Sequence, residues 1–231
     1  MQQLIQHIAL IMDGNRRWAQ TKGLASYTGH KQGVNAVKTA IEFCLEQNIS
    51  YLSLYTFSLE NFKRTTQEQA YLFDLLATTL ETDLQELQKH TIRIRFIGNR
   101  AVFPPQVRVS IERAEQNTAY NTRLQVVFLF CYGSRQEILA ATNRLIQETQ
   151  EGKRTGPITE QEFMRYLWTA GIPDPDLIIR TGKNSRLSNF LLFQAAYSEL
   201  YFLDCFWPEL TKEHLQKAFN HHITQQRNFG T

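Results

Sequence analysis

Four short segments place arginine and hydroxyl or acidic side chains, three of them with glycine, at the ends of apolar runs. The first is Asp13-Gly14-Asn15-Arg16-Arg17. The second runs Ser58-Leu59-Glu60-Asn61-Phe62-Lys63-Arg64. The third is Tyr132-Gly133-Ser134-Arg135. The fourth is Arg180-Thr181-Gly182, with Arg186 and Ser188 six and eight positions past Arg180. Glycine lets a backbone approach a ligand closely. Arginine presents a planar fork of donors that matches phosphate oxygens. A helix beginning after such a turn adds unpaired N–H groups and a positive end. One acid, Asp13, stands among the arginines, and Mg²⁺ favours one or two carboxylates plus substrate phosphates. These residues read as a polyanion site with more than one phosphate cluster and a metal.

The elements that must position them alternate along the chain. His7–Asp13 is a short apolar run ending in Asp-Gly and reads as a buried strand. Gly29–Gln47 reads as a helix, with Val34, Val37, Ile41, Cys44 and Leu45 on one face. Tyr51–Phe57 is strand-like. Thr66–Lys89 carries Leu72, Leu75, Leu76, Leu80, Leu84 and Leu87 at helical spacing. Ile92–Ile97 alternates and stops at Gly98. Pro104-Pro105 opens a helix reaching Thr118, because proline suits a first turn. Leu124–Tyr132 is an almost unbroken apolar run, as a parallel strand covered on both faces requires. Ser134–Thr149 follows as a helix, then the loop Glu151–Pro157, then a capping box at Thr159-x-x-Glu162. Asp176–Arg180 and Tyr201–Leu203 read as strands, Ser188–Ala196 and Thr211–Gln226 as helices. This order implies one α/β domain over residues 1–231, with a mostly parallel central sheet flanked by helices. Ligands of such sheets sit beyond the carboxyl ends of the strands, where the four segments fall.

Composition narrows the function. The chain has 231 residues, 42% hydrophobic and 20% charged, which suits a globular domain with a sizeable core. A net charge of +3 suits an anionic substrate or surface, and the basic residues gather at strand ends rather than along one helix, so nucleic acid is a poor fit. Cys44, Cys131 and Cys205 show no C-x-x-C spacing and read as free thiols of a reducing cytosol. The apolar stretch Ile8–Met12 is too short for a signal peptide, and no window supplies the roughly 18 apolar residues of a membrane span. The expected location is cytoplasmic, with peripheral contact at the inner face of the membrane left open. There is no Walker A sequence, no G-x-G-x-x-G after a strand and no D-D-x-x-D.

The same segments resemble the signatures of the cis-prenyltransferases of the undecaprenyl diphosphate synthase type. His7-Ile-Ala-Leu-Ile-Met-Asp-Gly-Asn-Arg-Arg-Trp18 resembles the first signature, and Gly29-His30-Lys31-Gln32-Gly33 the block after it. Leu54–Arg64 resembles the second. Asp176–Gly182, Arg186–Gln194 and Tyr197–Phe202 resemble the C-terminal signatures, so the matches run in family order over nearly the whole chain. The resemblance implies a homodimer with a hydrophobic tunnel, dependent on Mg²⁺. It implies sequential cis-condensation of isopentenyl diphosphate onto an allylic diphosphate such as farnesyl diphosphate, giving a lipid carrier precursor for cell-wall glycan synthesis. Under it, Asp13 would serve Mg²⁺ and the departing diphosphate. Gly14, Asn15, Arg17 and His30 would surround the allylic diphosphate, and Arg180, Arg186 and Ser188 would bind isopentenyl diphosphate. Ser58 and Asn61 would assist proton loss, and Glu199 would join Asp13 at the metal. Arg16, Trp18, Glu60, Phe62 and Arg64 would complete the substrate sites. Leu76, Leu80 and Leu84, facing the Val126–Leu129 strand, are the candidate tunnel wall.

Several positions depart from the family pattern. Ser26 stands where a basic residue is usual, Cys131 and Ser134 fall in a run that is usually Asn-Tyr-Gly-Gly-Arg, and Phe62 replaces a common tryptophan. Lys183 and Asn184 replace a glycine and a glutamate, and Asn228 an arginine. Simpler roles exist for single residues. Asp13 alone would be a turn residue, Ser188 a helix N-cap, and the leucine stripe ordinary core packing. Lys153, Arg154 and Lys212 read as solvated surface, and His221-His222 lacks metal-ligand spacing. Besides a long-chain synthase, the alternatives are a short- or medium-chain synthase and a non-catalytic partner subunit. Retention of Asp13, Asn15, Arg17, His30, Arg180, Arg186 and Ser188 argues against the last.

Overall fold

The computed structural model describes residues 5–224. Six strands form one sheet: β1 (His7–Ile11), β2 (Tyr51–Ser58), β3 (Ile92–Ile97), β4 (Leu124–Tyr132), β5 (Leu177–Arg180) and β6 (Glu199–Phe202). Their order is β3-β4-β2-β1-β5-β6, and every neighbouring pair is parallel. β1 and β5 are buried along their whole length, and β4 in all but Gln125, because both sheet faces are covered. The edges differ. β3 alternates Ile92 and Ile94 with Arg93 and Arg95, charges that discourage further pairing. β6 alternates half-buried and exposed residues.

One face carries α2 (Ser26–Glu46), α3 (Thr66–Lys89), α4 (Pro105–Asn117) and α7 (Lys212–Thr224). Leu10, Leu54, Ile94, Phe128 and Ile179 from the strands meet Ala40, Phe43, Phe73, Leu80 and Ile111 from these helices. The other face buries Ala9, Ile11, Val127, Leu129 and Ile178 under Ile172, Phe190 and Leu191. Near that face α5 (Ser134–Gln150) buries the Glu137 carboxylate. It accepts from the Tyr132 hydroxyl at 2.5 Å, the Thr169 N–H at 2.9 Å and Gln194 Nε2 at 3.1 Å. A buried carboxylate satisfied this way locks the loop before β5 to the helix after β4. α6 (Glu160–Met164) starts at the expected capping box, with Glu162 N donating to Thr159 Oγ1 at 3.2 Å and Thr159 N to Glu162 Oε2 at 3.0 Å.

Two expectations are corrected. A short helix, α1 (Asn15–Thr21), follows β1 where no helix was expected. Ser188–Ala196 is a chain of turns, not a helix. Ser188, Asn189 and Leu191 have φ of 51°, 65° and 43°, left-handed values that a right-handed helix cannot contain; Ser188 is therefore not an N-cap. The final helix is described to Thr224, and Gln225, Gln226 and the tail Arg227–Gly230 lie outside the described residues. Among the described residues no helix is long and apolar enough to cross a membrane, and the three cysteines are unpaired.

Candidate active site

The end of β1 sets the first cluster. Gly14 has φ 110°, and a Cβ there would lie 2.7 Å from the Phe206 ring, so only glycine fits this turn. It starts α1 and brings Arg17 one turn past Asp13. Arg17 Nη2 donates to Asp13 Oδ1 at 2.9 Å, while Oδ2 accepts from Arg180 Nη2 at 2.8 Å and Asn184 Nδ2 at 2.9 Å. Thr181 Oγ1 donates to the Asp13 carbonyl at 2.8 Å. Gly182 lets the second strand end come this close, since a Cβ there would be 2.9 Å from Asp13 Cγ. Burial pushes the Asp13 carboxyl upward. The hydrogen bonds from Arg180, Asn184 and Arg17 outweigh it and hold the group below the usual carboxylate range. Arg180, buried at the end of β5, also donates through Nη1 to Ser188 Oγ at 2.8 Å and to the Arg186 carbonyl. It thus links Asp13 to the loop that carries Arg186.

A second cluster lies where α1, α2 and the start of α3 meet. Glu68, in the first turn of α3, stands 3.3 Å from Arg64, 3.7 Å from His30 and 3.8 Å from Arg16. Burial first, and then the Arg64 charge, lower the His30 pKa to about 4, so its imidazole is neutral at pH 7. His30 Nε2, Glu68 Oε1 and Asn15 Oδ1 are buried without a hydrogen-bond partner, as is Arg180 Nε in the first cluster. Buried polar atoms are rarely left so; Asn15, His30 and Arg180 line one cleft, and Glu68 stands against its cations. Gln69 Nε2 donates to the carbonyls of Phe62 and Arg64 at 3.0 and 2.8 Å, tying the 58–64 loop to α3. Within that loop Ser58 N donates to Asn61 Oδ1 at 3.0 Å.

The cleft continues into an apolar cavity of about 440 Å³ between α2, α3 and the sheet. Its mouth holds Asp13, Asn15, His30, Ser58, Asn61, Arg64, Arg180, Arg186 and Ser188. Its barrel is lined by Val34, Val37 and Ile41 of α2, by Leu72, Leu75, Leu76, Leu80 and Leu87 of α3, and by Ile94, Phe128 and Phe130 of the sheet. Leu76 and Leu80 line it as expected, but Leu84 does not. From β4 only Phe128 and Phe130 face it; Val127 and Leu129 point to the other side, as strand alternation requires. A smaller cleft beside the mouth is lined by Gly14, Arg16 and Arg17 with Asn15, His30 and Arg64.

A family model described as "Putative undecaprenyl diphosphate synthase" matches residues 11–230. The chain belongs to the undecaprenyl diphosphate synthase family of cis-prenyltransferases. It is 43% identical over 226 residues to the isoprenyl transferase of Agrobacterium fabrum, covering 97% of this chain and 92% of that one. It is 39% identical over 225 residues to the isoprenyl transferase of Thermotoga maritima, covering 97% and 96%. The fold superposes on lavandulyl diphosphate synthase from Lavandula x intermedia, in complex with dimethylallyl diphosphate. There the TM-score is 0.94 and the identity 30%, over 99% of both chains. It also superposes on "a probable undecaprenyl diphosphate synthase" from Campylobacter jejuni, with TM-score 0.82 and 34% identity, over 98% and 99%. The protein is an isoprenyl transferase enzyme, a cis-prenyltransferase.

Four expected positions of this cis-prenyltransferase lie outside the cluster. Trp18 lines neither cleft. Glu60 accepts from Asn189 Nδ2 at 2.8 Å, bridging the 58–64 loop to the turns after β5. Phe62 packs on Phe57 and Phe73 with ring centroids 5.1 and 6.5 Å away. Glu199 opens β6 in register with Leu177 and Ile8, at the amino end of the sheet, while Asp13 lies past the carboxyl end of β1. About five strand residues, roughly 16 Å, separate those levels, so one chain does not bring Glu199 to Asp13. Two residues of the clusters were missed, Glu68 and Asn184. Thr65-x-x-Glu68 reads as a capping box, which disguises Glu68 as a helix cap. Only half of that box forms: Glu68 N donates to Thr65 Oγ1 at 3.3 Å, and the carboxylate turns to the cations. Asn184 was noted only as a departure; no local signal shows its reach to Asp13.

Proposed function

We propose that this cis-prenyltransferase elongates an allylic diphosphate, of about farnesyl size, with isopentenyl diphosphate to a long cis-polyprenyl diphosphate. The continuous cavity supports this reading most directly: an arginine-rich mouth at the strand ends opens into an apolar barrel between α2 and α3. Arg16, Arg17, Arg64, Asn15, His30 and the Gly14 turn would receive the allylic diphosphate. His30 Nε2 and Asn15 Oδ1, buried without protein partners, are suited to a ligand or its water. Arg180, Arg186 and Ser188 would hold the isopentenyl diphosphate close by, which lowers the entropic part of the barrier.

The allylic C–O bond breaks and its electron pair leaves with the diphosphate. Preorganised guanidinium groups stabilise the charge as it builds. The isopentenyl double bond attacks the allylic carbon, and a proton leaves the new unit beside Ser58 and Asn61. Asp13, a carboxylate held ionised beside the arginines, fits Mg²⁺, which takes few carboxylates and completes its shell with phosphate oxygens and water. When bound, Mg²⁺ would neutralise charge on the departing diphosphate. Asp13 itself is oriented by Arg17, Arg180 and Asn184 toward the mouth.

We further place the chain in the cytoplasm as one catalytic domain and as a homodimer, a reading supported by exposed Tyr197, Leu200 and Phe202 at the β6 edge. Contact with the inner membrane face would receive an apolar product. A short-chain product is the second reading, supported by the likeness to lavandulyl diphosphate synthase with dimethylallyl diphosphate. Incubation with five-, ten- and fifteen-carbon allylic diphosphates, labelled isopentenyl diphosphate and Mg²⁺ decides between them. Long cis products are expected; products stopping after one or two additions favour the second reading, and no product from folded protein overturns both.

A further inference from the structure

The cations at the diphosphate end of the cleft share a neighbouring anion. Arg16, His30 and Arg64 come from three different segments, and all three lie within 3.8 Å of the Glu68 carboxylate. The side chain is only 19% exposed, yet Glu68 Oε1 accepts no hydrogen bond. His30 Nε2, 3.7 Å away, is also without a partner. Asp13 is held differently, with hydrogen bonds of 2.8 to 2.9 Å on both carboxylate oxygens. Glu68 is held by charge rather than by fitted geometry. A helix-capping role does not account for its position, since the carboxylate does not return to the Thr65 N–H.

We propose that Glu68 is an internal stand-in for the allylic diphosphate, neutralising Arg16 and Arg64 until the substrate arrives and yielding those guanidinium groups to it. The proposal rests on the reading that Arg16, His30 and Arg64 meet that diphosphate. Two arginines in a partly buried cleft repel each other and carry a desolvation cost, which a nearby carboxylate offsets. A diphosphate brings more charge and more acceptor oxygens to the same forks than one carboxylate does, so it wins the exchange. The affinity of the mouth for diphosphate is therefore set by competition with Glu68. Release of the diphosphate product is eased by the same competition. Because Glu68 lies in the first turn of α3, the exchange is felt on the helix whose Leu72, Leu75 and Leu76 wall the barrel.

The test is calorimetric titration of the full chain with inorganic diphosphate at fixed Mg²⁺, without isopentenyl diphosphate. Glu68→Gln removes the charge and keeps the shape. It is expected to bind roughly tenfold more tightly than wild type, the loss of one competing charge pair. Glu68→Asp is expected to bind like wild type, and Arg64→Gln more weakly. Steady-state assays should show a lower KM for the allylic substrate in Glu68→Gln and a slower kcat as diphosphate leaves less readily. Unchanged or weaker binding by folded Glu68→Gln overturns the stand-in role and makes Glu68 a residue that only orients the cations. If Glu68→Gln does not fold, Glu68→Ala carries the same expected direction and the same overturning result. A wild-type chain that makes product but binds no diphosphate in the titration also overturns it. A chain that binds diphosphate but makes no product sinks the proposed reaction and leaves the Glu68 result standing.

Discussion

Two carboxylates meet the cations of this mouth and are held in opposite ways. Asp13 takes donors from Arg17, Arg180 and Asn184, each within 2.9 Å, and its backbone is pinned by Thr181. Glu68 has three cationic or imidazole neighbours at 3.3 to 3.8 Å and an oxygen that accepts nothing. The difference follows from what supports each. Asp13 is clamped between two adjacent parallel strands, β1 and β5, whose pairing is fixed by the sheet. Glu68 and its partners come from helix ends and a loop. A carboxylate on a rigid frame suits a role in which position matters, and one among loosely converging side chains suits exchange.

The largest way to break this contrast is Asp13→Ala. Turnover should fall by about 10³-fold or more, with the fold and diphosphate binding largely kept, because the proposed reaction has this group act on charge that develops in the transition state. Near-normal kcat in that variant would end the catalytic assignment. Arg186 comes next. Its backbone is tied to Arg180 while its side chain is exposed toward the mouth. Arg186→Ala should raise the KM for isopentenyl diphosphate by roughly 30-fold, the worth of a charged hydrogen bond or two. A change confined to the allylic substrate would reassign it.

Asn184→Ala sharpens the comparison by removing one of the three donors to Asp13. A loss of roughly five- to tenfold in kcat is expected, the net worth of one hydrogen bond, with the KM values little moved. Equal losses from Asn184→Ala and Asp13→Ala would show that the clamp is not shared among its donors.

The smallest expected effect lies in the frame rather than the site. His7, fully buried on β1, has Nδ1 2.7 Å from the Pro173 carbonyl and Nε2 2.8 Å from Ser53 Oγ. The carbonyl requires the proton on Nδ1, so Nε2 accepts from the serine and the ring is neutral. Burial lowers its pKa to about 4. A depressed folded-state value means the unfolded chain takes up the proton first. The stabilising contribution is complete above pH 6.5 and is lost as pH falls toward 4, by roughly 3 kcal/mol at most. Urea midpoints measured from pH 7.5 to 4 should fall across that window, and His7→Gln should flatten part of the slope. An unchanged slope would place the acid sensitivity elsewhere, with His30 the next candidate.

Much of the fold was legible because local pattern and tertiary demand agree. α3, β3 and β4 fall on the residues read from sequence. A leucine stripe over 24 residues has no competing reading, and neither does the apolar run of β4, which is buried on both faces. Ser188–Ala196 shows the opposite case. Its apolar spacing looks helical, yet Phe190 and Leu191 are drawn into the second core, where the Tyr55 ring packs tilted against Phe190 with centroids 4.8 Å apart. Burial of those two side chains favours left-handed turns over helix propensity. Leu84 was misjudged for a similar reason: a stripe wider than the cavity does not say which leucines reach it.

The sequence by itself determined most of the element types, the arginine-bearing segments at the strand ends and the family, because these depend on residue type and spacing along the chain. Only the tertiary structure decided which groups meet. The strand order places β1 beside β5, which sets Asn184 against Asp13 across 171 positions of sequence. It left Glu199 at the far end of the sheet and turned Glu68 from a cap into a counterion. Through-space distances between remote segments are set by strand pairing and helix packing, and no periodicity within a segment carries them.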